Sequence, residues 1–383
     1  MSPKSALKKI SIFYFFYFGS LGIYLPFLPI FLKAKGFSGV EIAFLISLLP
    51  IFKLISPPFW GYMSDVLFSP KKVLIATTFL SGVSFLMFYF LPGGIYTYLL
   101  LSLYALFRAP LIPLMNSLTF RFLGEKIENF TLVRVWGSVG FIVFATSVGK
   151  LLAKASIVEY FPLLMALILF ANMVVSFLFP DLEPPAKGKS KEKLLRLLTN
   201  RNFIYFILVS MISRIADGPY YSFFSLHLKS LGFHETFIGV AWSVGVIAEI
   251  VIFLLAPRFL KRFSLKFILF IAYFAGVIRW SLVAAFSQPL ILLFSQLFHG
   301  LTFGAFYAAS VSYVEKSNPP EFRATAQSIF ASFAFNLGVL LGYFYSGPVE
   351  ERFGSSVLFF TAAAISLIAS FLILFVKNPE RVK

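Results

Sequence analysis

Eight ionisable residues stand in stretches of this chain that are otherwise apolar: Lys53, Arg108, Arg134, Arg214, Asp217, Glu249, Arg279 and His299. Asn116 and Asn336 add uncharged polar groups in similar surroundings. A charge inside hydrocarbon is expensive, so such side chains must face a protein interior or a water-filled path. Some can serve simply as ion pairs that fix packing. Arg214 and Asp217, three apart on one helix face, are placed to do so. As a set they offer two kinds of chemistry. Arginine binds carboxylates through a planar fork of donors, and Glu249, His299 and Asp217 can exchange protons. Five permanent cations (Lys53, Arg108, Arg134, Arg214 and Arg279) face two acids, Asp217 and Glu249, so the surplus is positive. Unpaired buried cations are costly, and an anionic ligand would neutralise them. Snorkelling of Arg134 to the interface would reduce the surplus, and Lys53 with Glu249 could form a purely structural bridge. Tyr24, Phe141, Tyr220, Tyr221, Trp242 and Trp280 would suit a ring-bearing solute. The chain has no cysteine and only three scattered histidines. It also lacks a nucleotide loop and a Ser-His-Asp set, so no catalytic residue, metal site or cofactor is expected.

The elements that position these residues follow from composition. Hydrophobic residues make up 59% of the chain and charged residues 13%, which no ordinary soluble domain shows. The 383 residues accommodate about a dozen spans of roughly 20 residues. Spans are predicted at 10–32, 39–62, 72–91, 95–120, 130–152, 157–179, 202–227, 236–256, 265–286, 289–314, 324–346 and 355–376. The fold class expected is an all-α integral membrane protein. The apolar run from Ile10 is long and lacks a small-residue cleavage site, so it reads as a retained helix. Loops alternate between two sides. One side, with both termini, carries most of the Lys and Arg, including Lys187, Lys189, Lys191, Lys193, Arg196 and Arg201. Basic loops stay cytoplasmic, so both termini are expected there. The net charge of +17 thus sets topology and lipid contact rather than nucleic-acid binding. A cysteine introduced at Ser190 should react with an impermeant thiol reagent only from the cytoplasmic side; labelling from outside would overturn the topology. The polar stretch 181–201 is a tether, with a short amphipathic helix possible over 191–198.

The chain also repeats itself. GIYLPFLPIFLKAKGF begins at Gly22 and GPYYSFFSLHLKSLGF at Gly218, an offset of 196. A bundle over 1–180 and a second over 202–383 therefore form two pseudo-symmetric six-helix halves, twelve spans in all. At that offset Lys53 aligns with Glu249; allowing for a shorter loop in the second half, FRAPL at 107–111 corresponds to FHGLT at 298–302, pairing Arg108 with His299.

Gly61 and Asp65, followed by Lys71 and Lys72, are similar to the cytoplasmic gating signature of the major facilitator superfamily, although Val66 replaces its usual basic residue. More specific are VRVWGSVGF at 133–141, WSVGVIAEIVIF at 242–253, GVIRW at 276–280 and FHGLTFGAFYAA at 298–309. Together they resemble the phenylpropionate permease branch, related to lactose permease and other oligosaccharide–proton symporters, over essentially the whole chain. The resemblance implies alternating access in a cell (inner or plasma) membrane, driven by a proton gradient, by a functional monomer. It implies substrate contacts at Arg134 and Phe141, and proton coupling at Glu249, Arg279, His299 and Asp217. The family's acidic partner of the helix 5 arginine is here Asn116, and its acid after the histidine is Thr302. These losses, with the surplus of cations, shift the expectation from a neutral sugar toward a small organic acid such as an aromatic carboxylate. Arg108 or Lys53 would supply a second positive contact; Arg214, Trp242 and Tyr24 complete the candidate lining. A sugar, oligosaccharide or nucleoside symporter and a drug or metabolite exporter are the alternatives. Proton uptake through Glu249 is expected to link to a conformational switch, with His299 tuning it.

Overall fold

A computed structural model describes residues 3–91, 93–123, 129–154, 157–179, 200–319 and 323–379. The predicted tether, with its helix at 191–198 and Ser190, lies outside the described residues.

Helix starts follow local chemistry. Helix α1 (Pro3–Ala34) is succeeded by α2 (Gly39–Tyr62), where Ser38 accepts from the Glu41 amide and Glu41 bonds back to the Ser38 amide, a closed capping box. Ser69 caps α3 (Pro70–Phe90), whose first residue is the proline a first turn tolerates. Helices α4 (Gly94–Arg108) and α5 (Leu111–Leu123) form one predicted span broken near Pro110, which cannot donate to the ladder. Then come α6 (Asn129–Leu152) and α7 (Phe161–Phe177).

The seventh span is likewise interrupted, as α8 (Arg201–Ile215) and α9 (Gly218–Ser230). It is followed by α10 (Glu235–Arg262), α11 (Leu265–Ala285) and α12 (Pro289–Leu297). A π-helical turn, Gly300–Ala305, leads into α13 (Phe306–Ser317). After α14 (Arg323–Ile329), a further π-helical stretch, Phe330–Leu337, joins α15 (Gly338–Leu372), which kinks at Gly354, where φ is 81°. Four predicted spans therefore differ from uninterrupted helices: the fourth, the seventh, the tenth and the eleventh.

Nine stretches of the described residues are long and apolar enough to cross a membrane, and the last of them, Thr325–Phe375, is 51 residues long with the Gly354 kink inside it. The shorter apolar α7 and the interrupted α8–α9 supply the remaining spans of a twelve-span chain. Large apolar side chains face outward, among them Ile95, Leu254, Leu290 and Phe371, each more than 60% exposed. In water such a surface would aggregate; lipid is its proper solvent.

Contacts divide the described residues into two units. The first takes in the chain up to Ala186 together with Leu228–Ser243; the second takes in the rest. The first unit centres on Phe13, Tyr14, Tyr17, Leu74, Met115 and Leu118. The second centres on Phe206, Leu269, Tyr273, Phe306, Tyr313 and Phe330. Small residues bring helices together, as membrane packing requires. Gly137, Gly140, Gly338 and Gly342 all lie against a neighbouring helix. A Cβ on Gly342 would stand 2.5 Å from the Ile215 carbonyl oxygen and 2.9 Å from Gly218 Cα. Gly342→Val should therefore cost about 1–3 kcal/mol by overpacking. It should lower the melting temperature; an unchanged value would show that α15 and α9 part easily.

Candidate functional site

Within the first unit, the site begins on α1. Tyr14 and Phe18, four apart, share one face, with ring centroids 6.3 Å apart. The Tyr14 hydroxyl donates to Asn116 Oδ1 on α5 at 2.6 Å. Arg134 on α6 is exposed, and its guanidinium carbon lies 4.0 Å from the Phe18 ring centroid and 5.9 Å from that of Tyr14. This placement depends on Gly137, one turn along α6, where a Cβ would fall 2.5 Å from Phe18 Cδ2. Arg134 and Asn116 thus flank one tyrosine, with no carboxylate paired to Arg134 among the described residues. Phe141 is buried, its ring 6.3 Å from that of Trp242, which belongs to the same unit.

One turn further along α1, Tyr17 and Ser20 hold Arg108. Its Nη2 donates to the Tyr17 carbonyl at 2.7 Å and to Ser20 Oγ at 2.6 Å. The guanidinium lies 3.6 Å from the Tyr17 ring centroid. Arg108 closes α4, where a cation complements the helix dipole. Lys53 on α2 is accessible and near enough to Arg108 to interact electrostatically. Tyr24, expected to line a solute path, is 2% exposed and packs against Tyr104 (5.3 Å) and Phe85 (6.3 Å). Burying its ring among aromatics gains more than leaving it in water. Gly61 ends near the close of α2, with open space about its Cα; the Asp65 side chain lies outside what is described.

The second unit holds the acids. The break between α8 and α9 places Arg214 in the last turn of one helix and Asp217 just before the next, so each charge suits the dipole it faces. The two form an ion pair, both nearly inaccessible. Arg214 Nη2 also donates to the Thr302 carbonyl at 2.8 Å, and its guanidinium lies 4.0 Å from the Phe306 centroid. That carbonyl belongs to the π-helical turn Gly300–Ala305, and its second lone pair can accept from the arginine. Thr302 Oγ1 in turn accepts from Arg279 Nη1 at 3.2 Å. The residue standing where the family has an acid is thus a neutral bridge between two arginines.

Arg279 on α11 is fully buried. Its Nη2 donates to Gln296 Oε1 at 2.8 Å, its Nη1 meets His299 Nδ1 at 2.9 Å, and its guanidinium lies between Tyr220 (4.2 Å) and Trp280 (4.3 Å). Arginine can only donate, so His299 Nδ1 accepts and the ring proton sits on Nε2. That nitrogen faces Glu249 Oε2 at 3.7 Å. One polar chain therefore runs Asp217–Arg214–Thr302–Arg279–His299–Glu249. Gln296 was missed in the sequence, although it lies one turn before His299. Tyr14, Tyr17, Phe18 and Ser20 were also missed; the only signal was their polar or aromatic spacing on the first span.

Loss of the Asp217 carboxylate would leave Arg214 buried beside an uncharged partner, at about 3–5 kcal/mol. Asp217→Asn should lower the melting temperature strongly, and adding Arg214→Met should restore much of it. An Asp217→Asn protein as stable as the parent would refute a structural role for the pair.

The profile of the MFS_1 like family matches residues 7–362. The chain belongs to that family. It is a transporter of the major facilitator superfamily, a multi-pass membrane protein with the all-α fold expected. It is similar to an Escherichia coli (strain K12) protein described as a probable 3-phenylpropionic acid transporter, 28% identical over 95% of this chain and 96% of the relative. It is 25% identical to the nucleoside permease NupG of the same organism, over 92% of this chain and 89% of the permease. A crystal structure of the nucleoside transporter NupG superposes with a TM-score of 0.85 at 21% identity, covering 96% of this chain and 98% of the other. That likeness concerns the fold.

Proposed function

We propose that this transporter takes up a small organic acid, with an aromatic carboxylate as the favoured class, by proton-coupled symport through alternating access. Arg134 carries the reading. Its guanidinium is exposed and stacked on Phe18, and its neighbour across Tyr14 is the neutral Asn116. A solute carboxylate would supply the missing negative charge through charge-assisted hydrogen bonds. The surplus of cations lies wholly in the first unit: Lys53, Arg108 and Arg134 pair with no described carboxylate, whereas Arg214 pairs with Asp217 and Arg279 is linked through His299 to Glu249. The description of the 28% identical relative, which names an aromatic carboxylic acid, agrees in class. A nucleoside is the second reading, favoured by the similarity to NupG; a neutral solute, however, leaves Arg134 uncompensated.

Coupling is assigned to Glu249, with His299, Arg279 and Asp217 as the groups that respond to its charge. The protein works in the cell (inner or plasma) membrane with both termini cytoplasmic, as a monomer, on solute and protons among lipids. It uses the proton gradient in place of a cofactor and catalyses no covalent chemistry.

Proteoliposomes loaded with unlabelled solute test the class. Counterflow of labelled 3-phenylpropionate, with weak response to uridine and lactose, is expected. Tight binding of uridine or lactose with no response to any carboxylate would replace the organic-acid reading. An inward pH gradient should drive accumulation; solute extrusion under the same gradient would make the protein an exporter.

A further inference from the structure

Among the described cations of the first unit, Arg108 is the most deeply placed, 1% exposed. Its Nη2 is satisfied by Tyr17 and Ser20, yet Nε and Nη1 have no hydrogen-bond partner. The Tyr104 hydroxyl, also without a partner, is close enough to interact with it. Lys53, a second cation, lies near enough to act on the same volume, and no described carboxylate pairs with either. Arg214 also has donors without hydrogen-bond partners, but its charge is balanced by Asp217; a buried charge with no such balance is heavily penalised. Here Nη2 of the guanidinium is anchored to α1, Nε and Nη1 have no such anchor, and the Tyr104 hydroxyl and Lys53 lie close enough to act on it electrostatically. Every neighbour named is a donor or can act as one, except the Tyr17 carbonyl and Ser20 Oγ that are already used.

We propose that Arg108, with Lys53 and the Tyr104 hydroxyl, forms a second anion site, separate from Arg134, for a compact monovalent anion. Two sources share that chemistry: a second acidic group on the solute itself, or a separate small inorganic anion that binds with it. The site follows from Arg108 and its surroundings, and it stands whether or not the organic-acid reading holds.

The test uses the purified full-length protein in detergent, with gluconate replaced stepwise by chloride at constant ionic strength. Thermal unfolding of the wild type and of Arg134→Gln should rise saturably with chloride. Arg108→Gln should lose that rise, and Lys53→Gln should shift the half-saturating concentration upward about tenfold, one charge-assisted contact's worth. In parallel, binding of 3-phenylpropionate is compared with that of 3-(4-carboxyphenyl)propionate. If the solute brings its own second acid, the diacid binds the wild type more tightly than the monoacid, and Arg108→Gln equalises them. If the anion is separate, chloride tightens monoacid binding, and Arg108→Gln abolishes that effect. Should Arg108→Gln fail to fold, Lys53→Gln carries the same comparisons. The proposal is overturned if neither the chloride response nor the diacid preference is altered by either variant. A chloride response lost in Arg108→Gln, with no carboxylate bound at all, would end the organic-acid reading while leaving the anion site standing.

Discussion

Glu249→Gln should abolish gradient-driven accumulation while leaving solute exchange largely intact. Arg279 fixes the accepting face of His299, so the imidazole presents its Nε2 proton toward Glu249. A charged carboxylate attracts that N–H; a protonated one does not need it. Protonation of Glu249 would therefore relax the hold of His299 on Arg279, and through Thr302 that of Arg279 on Arg214. A proton taken up there would thereby bias helices α8, α10, α11 and the π-helical turn Gly300–Ala305 together, which is what coupling to a two-state transition demands. One pH unit is worth about 1.4 kcal/mol per proton, roughly tenfold in accumulation. In Glu249→Gln the ratio should fall to about one, since glutamine keeps the shape and cannot carry the proton. Counterflow, which needs no net proton movement, should persist. Accumulation at the parental level would remove Glu249 from the coupling path and move attention to Asp217.

The second large effect concerns Arg134. Arg134→Gln removes the charge, and Arg134→Lys keeps it while losing the planar fork and the stacking on Phe18. A hydrogen bond to a charged group contributes about 1.5–3 kcal/mol. Carboxylate binding should therefore weaken about 10–100-fold in Arg134→Gln, with an intermediate loss in Arg134→Lys. Asn116→Glu provides the converse. It places an acid across Tyr14 from the guanidinium, supplies internally the charge that the solute would bring, and should impair anion uptake. Binding of carboxylates that is indifferent to all three substitutions would sever Arg134 from recognition.

Much of this architecture was legible in the chain. Long apolar runs can satisfy their backbone in lipid only as helices, so composition and length fixed the class, and the repeat from Gly22 to Gly218 announced two related bundles. The buried ionisable residues were identifiable by type, because in hydrocarbon each is an exception that must be accommodated. Even the Arg214–Asp217 pair could be read from its spacing of three, although the two meet across the break between α8 and α9 rather than on one helix face.

Which cations remain unbalanced could not be read. Tyr14 reaches Asn116 across 102 positions, and Arg108 reaches Ser20 across 88. These pairings depend on how closely α1 meets its neighbours and at what rotation, and small residues such as Gly137 set that approach. The π-helical turn at Gly300–Ala305 had no local signature either, yet it is what brings the Thr302 carbonyl to Arg214 and the Thr302 hydroxyl to Arg279. Hydropathy and periodicity are properties of neighbours along the chain, so the sequence by itself determined the membrane fold, its duplication and the inventory of buried charges. Neutralisation is a property of neighbours in space. Only the tertiary structure decided that Thr302 joins Arg214 to Arg279 and that His299 stands between Arg279 and Glu249, while Arg108 and Arg134 have no carboxylate partner among the described residues.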